Sequence, residues 1–282
     1  MPESLAPETY LPLVEAALAE DIGGGDATTL ALVPQDAIAT AAMIAREPLV
    51  MAGADLALAA FQQMDERVEF GIEIFDGQQA ALGQALLRVR GPARALLTAE
   101  RTALNFIQRL AGVATRTARY VEAVAGTDAT ILDTRKTTPG WRALEKYAVV
   151  CGGGTNHRVG LYDQVMIKDN HLAALDGDIA RAVALAREAS SGLKIEVEAD
   201  TVEQAAAAAA AGADMILLDN MSGDELRDAV GQIGGRAKTE ASGGVTLETV
   251  RDIAGTGVDF ISVGALTHSA PSVDIGLDFD AD

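Results

Sequence analysis

The segment from Asp133 to His171 gathers the residues of this chain that are best suited to bind an anion. It carries six basic against four acidic residues, whereas the whole chain has 22 basic and 41 acidic residues and a net charge of −19. Inward-facing cations repel one another unless an anion neutralises them, so this segment indicates a pocket for a polycarboxylate or a phosphate. The residues that suggest the pocket are Arg135, Arg158 and Lys168, with His157 and His171 as further donors. A purely structural role fits His171 equally well.

Two acidic residues end consecutive predicted strands and should therefore lie side by side. They are Glu198 in EVEA and Asp219 in LLDN. Carboxylate oxygens suit Mg²⁺, and they can also bind ribose hydroxyls. A solvated rim without a ligand is the third alternative.

Small residues follow the last two predicted strands, in ASGGVT (241–246) and SVGALT (262–267). Such loops let backbone N–H groups approach an anion, and in α/β barrels a phosphate commonly binds after the seventh and eighth strands. The residues predicted to form this phosphate site are Ser242, Gly243, Gly244, Val263, Gly264 and Ala265.

Composition limits the classes of protein that remain. With 282 residues, 49% of them hydrophobic, the chain is long enough for one large α/β barrel or for two domains. The acidic balance argues against nucleic acid and anionic membranes, and neither an apolar run of membrane length nor a signal peptide is evident, so we expect a cytoplasmic protein. Seventeen arginines against five lysines on an acidic chain suggest a high-salt source. The single cysteine, Cys151, excludes an intrachain disulfide and fits a buried structural residue better than a nucleophile.

Hydrophobic periodicity predicts the elements of the first half. Helices are expected at 8–22, at 54–64 and at 95–124, the last interrupted at Gly112. Residues 37–52 predict a pair of strands, and further strands are expected near 67–75 and 81–90. The segment EDIGGGDATT (20–29) is interpreted as a turn rather than a metal-binding loop, because it lacks the spacing of a known metal loop.

In the second half, short β-rich runs alternate with alanine-rich helical ones, which predicts parallel βα units. A partial repeat supports this: Thr201 and Thr246 each begin a predicted helix that stops at a glycine, Gly212 or Gly257, before an apolar strand. Thr201 with Gln204 and Ser222 with Glu225 also fit capping boxes. The predicted strands are 129–133, 164–169, 194–199, 214–219, 237–242 and 259–264, and the residues at their ends include Asp133 and Glu196.

These motifs closely resemble the quinolinate phosphoribosyltransferase family, also called carboxylating nicotinate-nucleotide pyrophosphorylases. The long segment DTRKTTPGWRALEKYAVVCGGGTNHRVGLYDQVMIKDNH carries the resemblance, together with EVE, LLDNM, EASGGV and TGVDFISVGALTHSA. EDIGGGDATT and ERTALNFIQRLAGVAT match it in the first half, so the likeness spans nearly the whole chain. Trp141 departs from the pattern, since the family usually has an aliphatic residue after TTPG.

The resemblance implies an α/β fold, with an N-terminal α/β sandwich domain at 1–112 and an incomplete parallel, TIM-like α/β barrel at 113–269. The tail at 270–282 is expected to pack back on the N-terminal domain. It also implies a homodimer, or a higher oligomer built from it, with active sites shared between subunits.

The resemblance further implies the substrates quinolinate and phosphoribosyl pyrophosphate, and the product nicotinate mononucleotide. Mg²⁺ is the implied cofactor, held by Glu198 and Asp219, and Lys136, Lys168, Glu198 and Asp219 are the implied catalytic residues. Arg101 is expected to reach the pocket of the neighbouring subunit. The residues implied to hold quinolinate are Arg135, His157, Arg158 and Lys168, with Lys136 nearby and Arg101 from the neighbouring subunit. Thr134 also belongs to the implied substrate-binding residues.

Three other functions stay open at this stage. A paralogous group associated with molybdenum transport shares DTRKTTPG but lacks the IKDNH that stands here at 167–171. Lys168 at a strand end could instead be the nucleophile of a Schiff-base aldolase. A non-catalytic metabolite-binding barrel would bind the ligands without releasing pyrophosphate.

Overall fold

The computed structural model describes residues 3–190 and 192–280. The described residues form two compact units, each drawn from separated parts of the chain. The first unit combines Met1–Ala118, Thr138–Gly153 and Ser269–Asp282, and the second combines Arg119–Thr137 and Gly154–His268, within the described residues. The domain boundaries implied by the resemblance stay a prediction. In the compact units, Thr138–Gly153 belongs with the first unit although it lies inside the expected barrel range.

The chain contains both helices and strands along its described length. The helices are α1 (Pro7–Ile22), α2 (Ala27–Leu32), α3 (Ala54–Met64), α4 (Ala93–Ala123), α5 (Arg142–Cys151), α6 (Asp169–Ala173), α7 (Ile179–Ala189), α8 (Val202–Ala210), α9 (Gly223–Ile233), α10 (Val250–Ala254) and α11 (Ala265–His268). The strands are β1 (Ile38–Ala45), β2 (Leu49–Val50), β3 (Glu69–Ile72), β4 (Gln79–Ala80), β5 (Ala85–Pro92), β6 (Thr130–Leu132), β7 (Val165–Ile167), β8 (Ile195–Ala199), β9 (Met215–Asp219), β10 (Lys238–Ser242), β11 (Phe260–Ser262) and β12 (Ile275–Phe279).

An antiparallel sheet in the order β12-β1-β5-β3 forms the centre of the first unit. In β5, buried Leu87 and Val89 alternate with exposed Arg88 and Arg90, as expected for a sheet with one covered face. Strand β12 pairs antiparallel with β1, so the end of the described chain completes this sheet. The two strands predicted within 37–52 do not pair with each other, which corrects the sequence interpretation: β1 pairs with β5 and β12, and β2 pairs with β4.

The second unit is built on a six-stranded parallel sheet in the order β6-β11-β10-β9-β8-β7. Helices connect its strands, and the predicted α/β class with an incomplete TIM-like barrel is confirmed. Both glycines predicted to stop the repeated helices adopt positive φ, +84° at Gly212 and +92° at Gly257, where other residues are strained. Buried aliphatic residues fill the sheet, as parallel strands covered on both faces require.

The helix starts agree with the sequence in part. Ser222 and Glu225 form the predicted capping box of α9. The Thr201 side chain caps α8 by accepting a hydrogen bond from the backbone N–H of Gln204. The Gln204 side chain accepts from Asp200 N and not from Thr201 N, so the predicted capping box is not reciprocal. The predicted start of the second repeated helix at Thr246 is wrong, because α10 starts after Thr249.

The segment 20–29 contains a turn at Gly23, as predicted, and then the short helix α2, which was not predicted. The carboxylate of Asp26 caps α2 by accepting a hydrogen bond from Thr29 N at 2.9 Å. The acid in this loop is therefore engaged in a helix cap.

The predicted break of the long helix at Gly112 is wrong, because α4 runs without interruption from Ala93 to Ala123. A Cβ atom at residue 112 would lie 2.1 Å from the carbonyl oxygen of Pro271, in the tail segment that precedes β12. Glycine is needed here for close backbone approach, and this requirement cannot be distinguished from a helix break in the sequence alone.

Helix α5 is joined to α4 by a buried ion pair within the first unit. Arg109 donates to Glu145 at 2.7 Å, and the Glu145 side chain is fully buried. Trp141, the departure from the family pattern, stacks on Phe106 of α4 with ring centroids 5.0 Å apart. The unusual residue therefore contributes to packing in this unit. No helix among the described residues is long and apolar enough to cross a membrane.

Substituting Gly112→Ala should destabilise the protein by roughly 1–3 kcal/mol, because the new methyl group meets backbone atoms that cannot rotate away. Urea unfolding followed by circular dichroism measures the effect. The matched control is Gly231→Ala in α9, where no atom lies within 4 Å of the new Cβ and alanine should stabilise the helix by about 0.5–1 kcal/mol. A Gly112→Ala variant as stable as the native chain would show that this approach imposes no constraint.

Candidate active site

A cavity of about 290 Å³ opens at the carboxyl ends of the parallel strands of the second unit. This is the end at which α/β barrels bind their ligands. Its lining contains four basic and three acidic residues, so it is strongly charged for its size. The residues that line it are Thr134, Arg135, Lys136, His157, Arg158, Met166, Lys168, Glu198, Leu217, Asp219, Glu240, Ser242 and Ser262.

The register of the parallel sheet brings these side chains together. Glu198 of β8 is level with Leu217 of β9, which is level with Glu240 of β10. Two residues further toward the strand ends, Asp219 is level with Ser242. Residues two apart on a strand share a face, so each strand presents its lining residues at alternate positions on the same side.

Arg135 and Arg158 form the basic wall of the cavity. The Arg158 guanidinium donates to the carbonyl oxygen of Gln164 at 3.3 Å and to the Met166 sulfur at 3.4 Å. Burial, and then the positive charge of Arg135, lowers the pKa of Arg158 from its ordinary value. The two cations therefore repel each other, as the sequence predicted for a site that awaits an anion.

His157 lies between two buried glutamates beneath this wall. Its Nε2 is 3.1 Å from Glu196 Oε2 and 3.2 Å from Glu240 Oε2, and both carboxylates are fully buried. On the other side of the ring, Nδ1 accepts a hydrogen bond of 2.7 Å from the backbone N–H of Arg158. His157 N in turn donates to the buried carboxylate of Asp133 at 2.8 Å. The ring and the backbone that carries it are thus held from several sides.

The protons of this cluster follow from these contacts. Burial raises the pKa of Glu196 to about 7, although the hydrogen bond from His157 opposes the change. Burial acts to lower the pKa of His157, and the two carboxylates act to raise it. A second ring proton would have to lie on Nδ1, however, where the Arg158 amide hydrogen already points. In this arrangement the ring carries one proton, on Nε2, facing the glutamates.

The acidic side of the cavity is formed by Glu198 and Asp219. Lys168, which directly follows β7, makes an ion pair with Glu198. Burial, and then the charge of Glu198, raises the pKa of the Asp219 carboxyl above its ordinary value. Two carboxylates whose like charges repel each other can bind a cation between them.

The loops after β9 and β10 interlock. Asn220 adopts positive φ, +55°, and its backbone N–H donates to Ser242 O at 2.9 Å. Gly243 has φ +95°, and a Cβ atom there would lie 2.2 Å from the Asn220 side-chain oxygen. Only glycine fits at 243, so this loop keeps its backbone exposed beside the ends of both strands.

The remaining sequence candidates lie near the cavity or apart from it. Lys136 lines it, and its backbone is held by Thr134 and Thr267, whose hydroxyls are 3.1 and 2.7 Å from Lys136 N and O. A Cβ atom at Gly264 would lie 3.1 Å from the Lys136 side chain. The candidates Gly243, Gly244, Val263, Gly264 and Ala265 are not among the described residues that line the cavity itself.

Three other candidates fall outside the cavity. Arg101 is exposed on α4 in the first unit. His171 accepts a hydrogen bond on Nδ1 from Lys168 N at 2.9 Å, so its contact in the structure holds the backbone of Lys168. Cys151 is buried in the first unit, and burial raises the pKa of its thiol to about 12, which disfavours a nucleophilic role.

Sequence reasoning did not identify Glu240, Gln164, Met166, Leu217 or Ser262 as lining or supporting residues. Glu240 had one available signal, since it stands two residues before Ser242 on a predicted strand and must share its face. The roles of Gln164 and Met166 depend on where the Arg158 side chain turns, which strand periodicity does not specify.

Comparisons with known proteins find two matching family domains and several similar proteins. Residues 26–111 match the model of the quinolinate phosphoribosyl transferase N-terminal domain, and residues 113–278 match that of the C-terminal domain. The chain is 48% identical, over 94% of its length and 95% of the relative's, to a carboxylating nicotinate-nucleotide pyrophosphorylase of Mycobacterium leprae. It is 46% identical to a probable enzyme of the same name from Bacillus subtilis, over 92% of this chain and 89% of that one.

Solved structures give the same result. The structure of the nicotinate-nucleotide pyrophosphorylase from Francisella tularensis matches with a TM-score of 0.93 and 39% identity, over 98% of both chains. With both family domains matched and relatives of nearly equal length, the chain belongs to the quinolinate phosphoribosyltransferase family.

Proposed function

We propose that this chain transfers the phosphoribosyl group of phosphoribosyl pyrophosphate to quinolinate and releases pyrophosphate and CO₂, giving nicotinate mononucleotide. The observation that carries the proposal is the cavity in which Arg135, Arg158 and Lys168 face one another at the ends of parallel strands. A pyridine dicarboxylate supplies the two negative charges that such a set requires. The names of the relatives, which are carboxylating enzymes, favour this function over the alternatives raised by the sequence.

The proposed reaction has two chemical steps. The bond from the pyridine nitrogen to ribose C1 forms as the bond from C1 to the pyrophosphate oxygen breaks. The bond from C2 to its carboxylate then breaks, the electron pair stays on C2 and takes up a proton, and CO₂ leaves. We assign Arg135, Arg158 and Lys168 to the carboxylates, and Lys136, at the same mouth, to the charge that develops on the leaving pyrophosphate.

We also propose that Glu198 and Asp219 hold Mg²⁺ together with the substrate phosphoribosyl pyrophosphate. Supporting this, the two carboxylates end neighbouring strands, and the charge of Glu198 contributes to the raised pKa of Asp219, so a divalent cation would relieve a real repulsion. When bound, the metal would neutralise charge on the departing pyrophosphate. Glu198 must then release Lys168, which is freed to bind a substrate carboxylate.

The glycine loops complete the proposal. Ser242, Gly243 and Gly244, with Gly264 and Ala265, are assigned to the 5′-phosphate of the ribose, as the family resemblance implies. The exposed backbone of the Gly243 loop supports this assignment. The cytoplasmic location and the high-salt source expected from the composition stay predictions.

The Schiff-base alternative is disfavoured by a specific contact. A lysine that attacks a carbonyl needs a free amine, whereas the Lys168 side chain is engaged by the Glu198 carboxylate. Borohydride in the presence of a carbonyl substrate should therefore trap no adduct.

The direct test is to incubate the protein with phosphoribosyl pyrophosphate, Mg²⁺ and either quinolinate or nicotinate, while pyrophosphate and CO₂ are measured. Quinolinate should give both products in equal amounts, and nicotinate should give neither. Ligand binding without pyrophosphate release would point instead to a metabolite-binding protein.

The variants Arg135→Lys and Arg158→Lys should weaken quinolinate binding although the charge is kept. A guanidinium fork makes two hydrogen bonds to a carboxylate and an ammonium cannot, so each change should cost about 1.5–3 kcal/mol. Calorimetric titration with quinolinate gives the affinity. Arg187→Lys, at an exposed ion pair with Asp214, is the control and should bind like the native protein. Native affinity in both cavity variants would refute the assignment.

We further propose a homodimer in which Arg101 completes the cavity of the partner subunit. Its exposure on α4 supports the proposal, since a side chain that serves a neighbouring chain must reach the surface. Arg101→Ala and Lys168→Ala should each be nearly inactive, whereas Arg119→Ala, at another exposed arginine of α4, should be active. After subunit exchange of equal amounts of the two inactive variants, about half the dimers would be mixed with one intact site each, so activity should return to roughly a quarter of native.

A chain carrying both substitutions provides the opposite control. Exchanged with the native chain, it should halve the activity of the mixture, because the native barrel in each mixed dimer receives an alanine at 101. If Arg101 serves its own chain, the mixture keeps its activity and the two single variants do not rescue each other.

A further inference from the structure

Glu196 and Glu240 belong to none of the ligand-binding sets assigned above, although they are fully buried beside the cavity. Neither oxygen of Glu240, nor Oε1 of Glu196, accepts a well-formed hydrogen bond from the described residues. Buried carboxylates without donors are costly, and they occur mainly where a site requires them. Their shared neighbour is the Nε2 atom of His157.

The contacts of Nε2 bear on which ring nitrogen of His157 carries the proton. Neutral histidine carries its proton on either Nδ1 or Nε2, and the partner of one nitrogen decides the state of the other. Two carboxylates 3.1 and 3.2 Å from Nε2 favour the proton there, which leaves a lone pair on Nδ1. That lone pair accepts the 2.7 Å hydrogen bond from Arg158 N.

A second connection runs from the same acids to the Arg158 side chain. Gln164 donates its amide to Glu196 Oε2 at 2.8 Å, and the backbone oxygen of Gln164 accepts from the Arg158 guanidinium at 3.3 Å. Glu196 therefore acts on Arg158 at two points, through His157 on its backbone and through Gln164 on its guanidinium.

We propose that Glu196 and Glu240 are positioning residues that fix the Nε2–H tautomer of His157 and thereby hold Arg158 in the geometry that binds a dicarboxylate. This rests on the proposed function for the identity of the ligand, but the tautomer itself does not. The selectivity of the cavity for its pyridine substrate then depends on two acids that belong to none of the sets assigned to the substrates.

The chain is well suited to a direct measurement, because it contains only three histidines. Nitrogen-15 NMR of protein labelled on the imidazole rings distinguishes the two neutral tautomers and the doubly protonated ring, and loss of one signal in His157→Gln assigns His157. At pH 7.5 the ring should be the Nε2–H tautomer. A ring protonated on Nδ1, whether as the other tautomer or as imidazolium, would overturn the proposal in the native protein without any variant that risks misfolding.

Substitution of both acids by glutamine tests the cause. A glutamine amide can donate to Nε2, which permits the Nδ1–H tautomer and places its hydrogen against that of the Arg158 amide. The double variant should show mixed tautomers and a Kd for quinolinate raised about tenfold, which is the lower end of the effect of removing the outer hydrogen-bond partner of a metal-bound histidine. The Kd for phosphoribosyl pyrophosphate should not change.

Non-additivity separates this role from a loss of folding stability. In an Arg158→Lys background, Glu240→Gln should raise the Kd for quinolinate less than about threefold, because the group it positions has already been removed. Glu145→Gln is the matched control, since Glu145 is a fully buried, ion-paired glutamate of the first unit. It should lower the melting temperature without changing the ratio of the two substrate affinities.

Three further outcomes would contradict the proposal. They are native quinolinate affinity in the double variant, effects of Glu240→Gln and Arg158→Lys that multiply independently, and a metal ion retained by the native protein and lost in Glu240→Gln. The last would show that the cluster of His157, Glu196 and Glu240 is a metal site. A native protein with the expected tautomer that fails to make pyrophosphate would refute the proposed function and leave this inference standing.

Discussion

Two guanidinium groups, those of Arg135 and Arg158, share one small cavity, and the rest of the site is arranged around their repulsion. Burial and the neighbouring charge both act against the charged form of Arg158. Glu196 of β8 offsets part of this repulsion, and it shares the Nε2 atom of His157 with Glu240 of β10. The sheet therefore supplies both the cations that attract a dicarboxylate and the anions that allow those cations to be buried before it arrives.

The fold follows from the sequence wherever the signal is local. Alternation of apolar runs with alanine-rich helices predicts the parallel sheet, and the strand ends identify most of the lining, including Arg135, Lys168 and Glu198. These predictions succeed because a strand end and its face are determined by a few neighbouring residues. Lysines and arginines concentrated in an acidic chain mark the same place independently.

What the sequence could not supply are the contacts between distant segments. Gly112 resembles a helix break, and only the carbonyl of Pro271, far along the chain, explains why α4 continues through it. Glu145 and Glu240 are equivalent as isolated glutamates, yet one is neutralised by Arg109 and the other lies beside a histidine. Local propensity contains no information about which partner a buried charge will meet, so such roles appear only once the chain is folded.

An acid that paired directly with the Arg158 guanidinium would balance its charge more simply, but it would occupy the hydrogen-bond donors that a substrate carboxylate needs. The observed arrangement avoids this conflict. The guanidinium bonds only to a carbonyl oxygen and a thioether among the described residues, both uncharged acceptors, and the bonds to them are long. The charge of Glu196 still acts on Arg158, but from the far side of an imidazole ring and of the Gln164 amide. A buried ionic cluster can often be replaced by apolar residues with no loss of stability. The cluster beneath this cavity is therefore better explained by the hydrogen-bond donors of Arg158 that it leaves available to a substrate carboxylate.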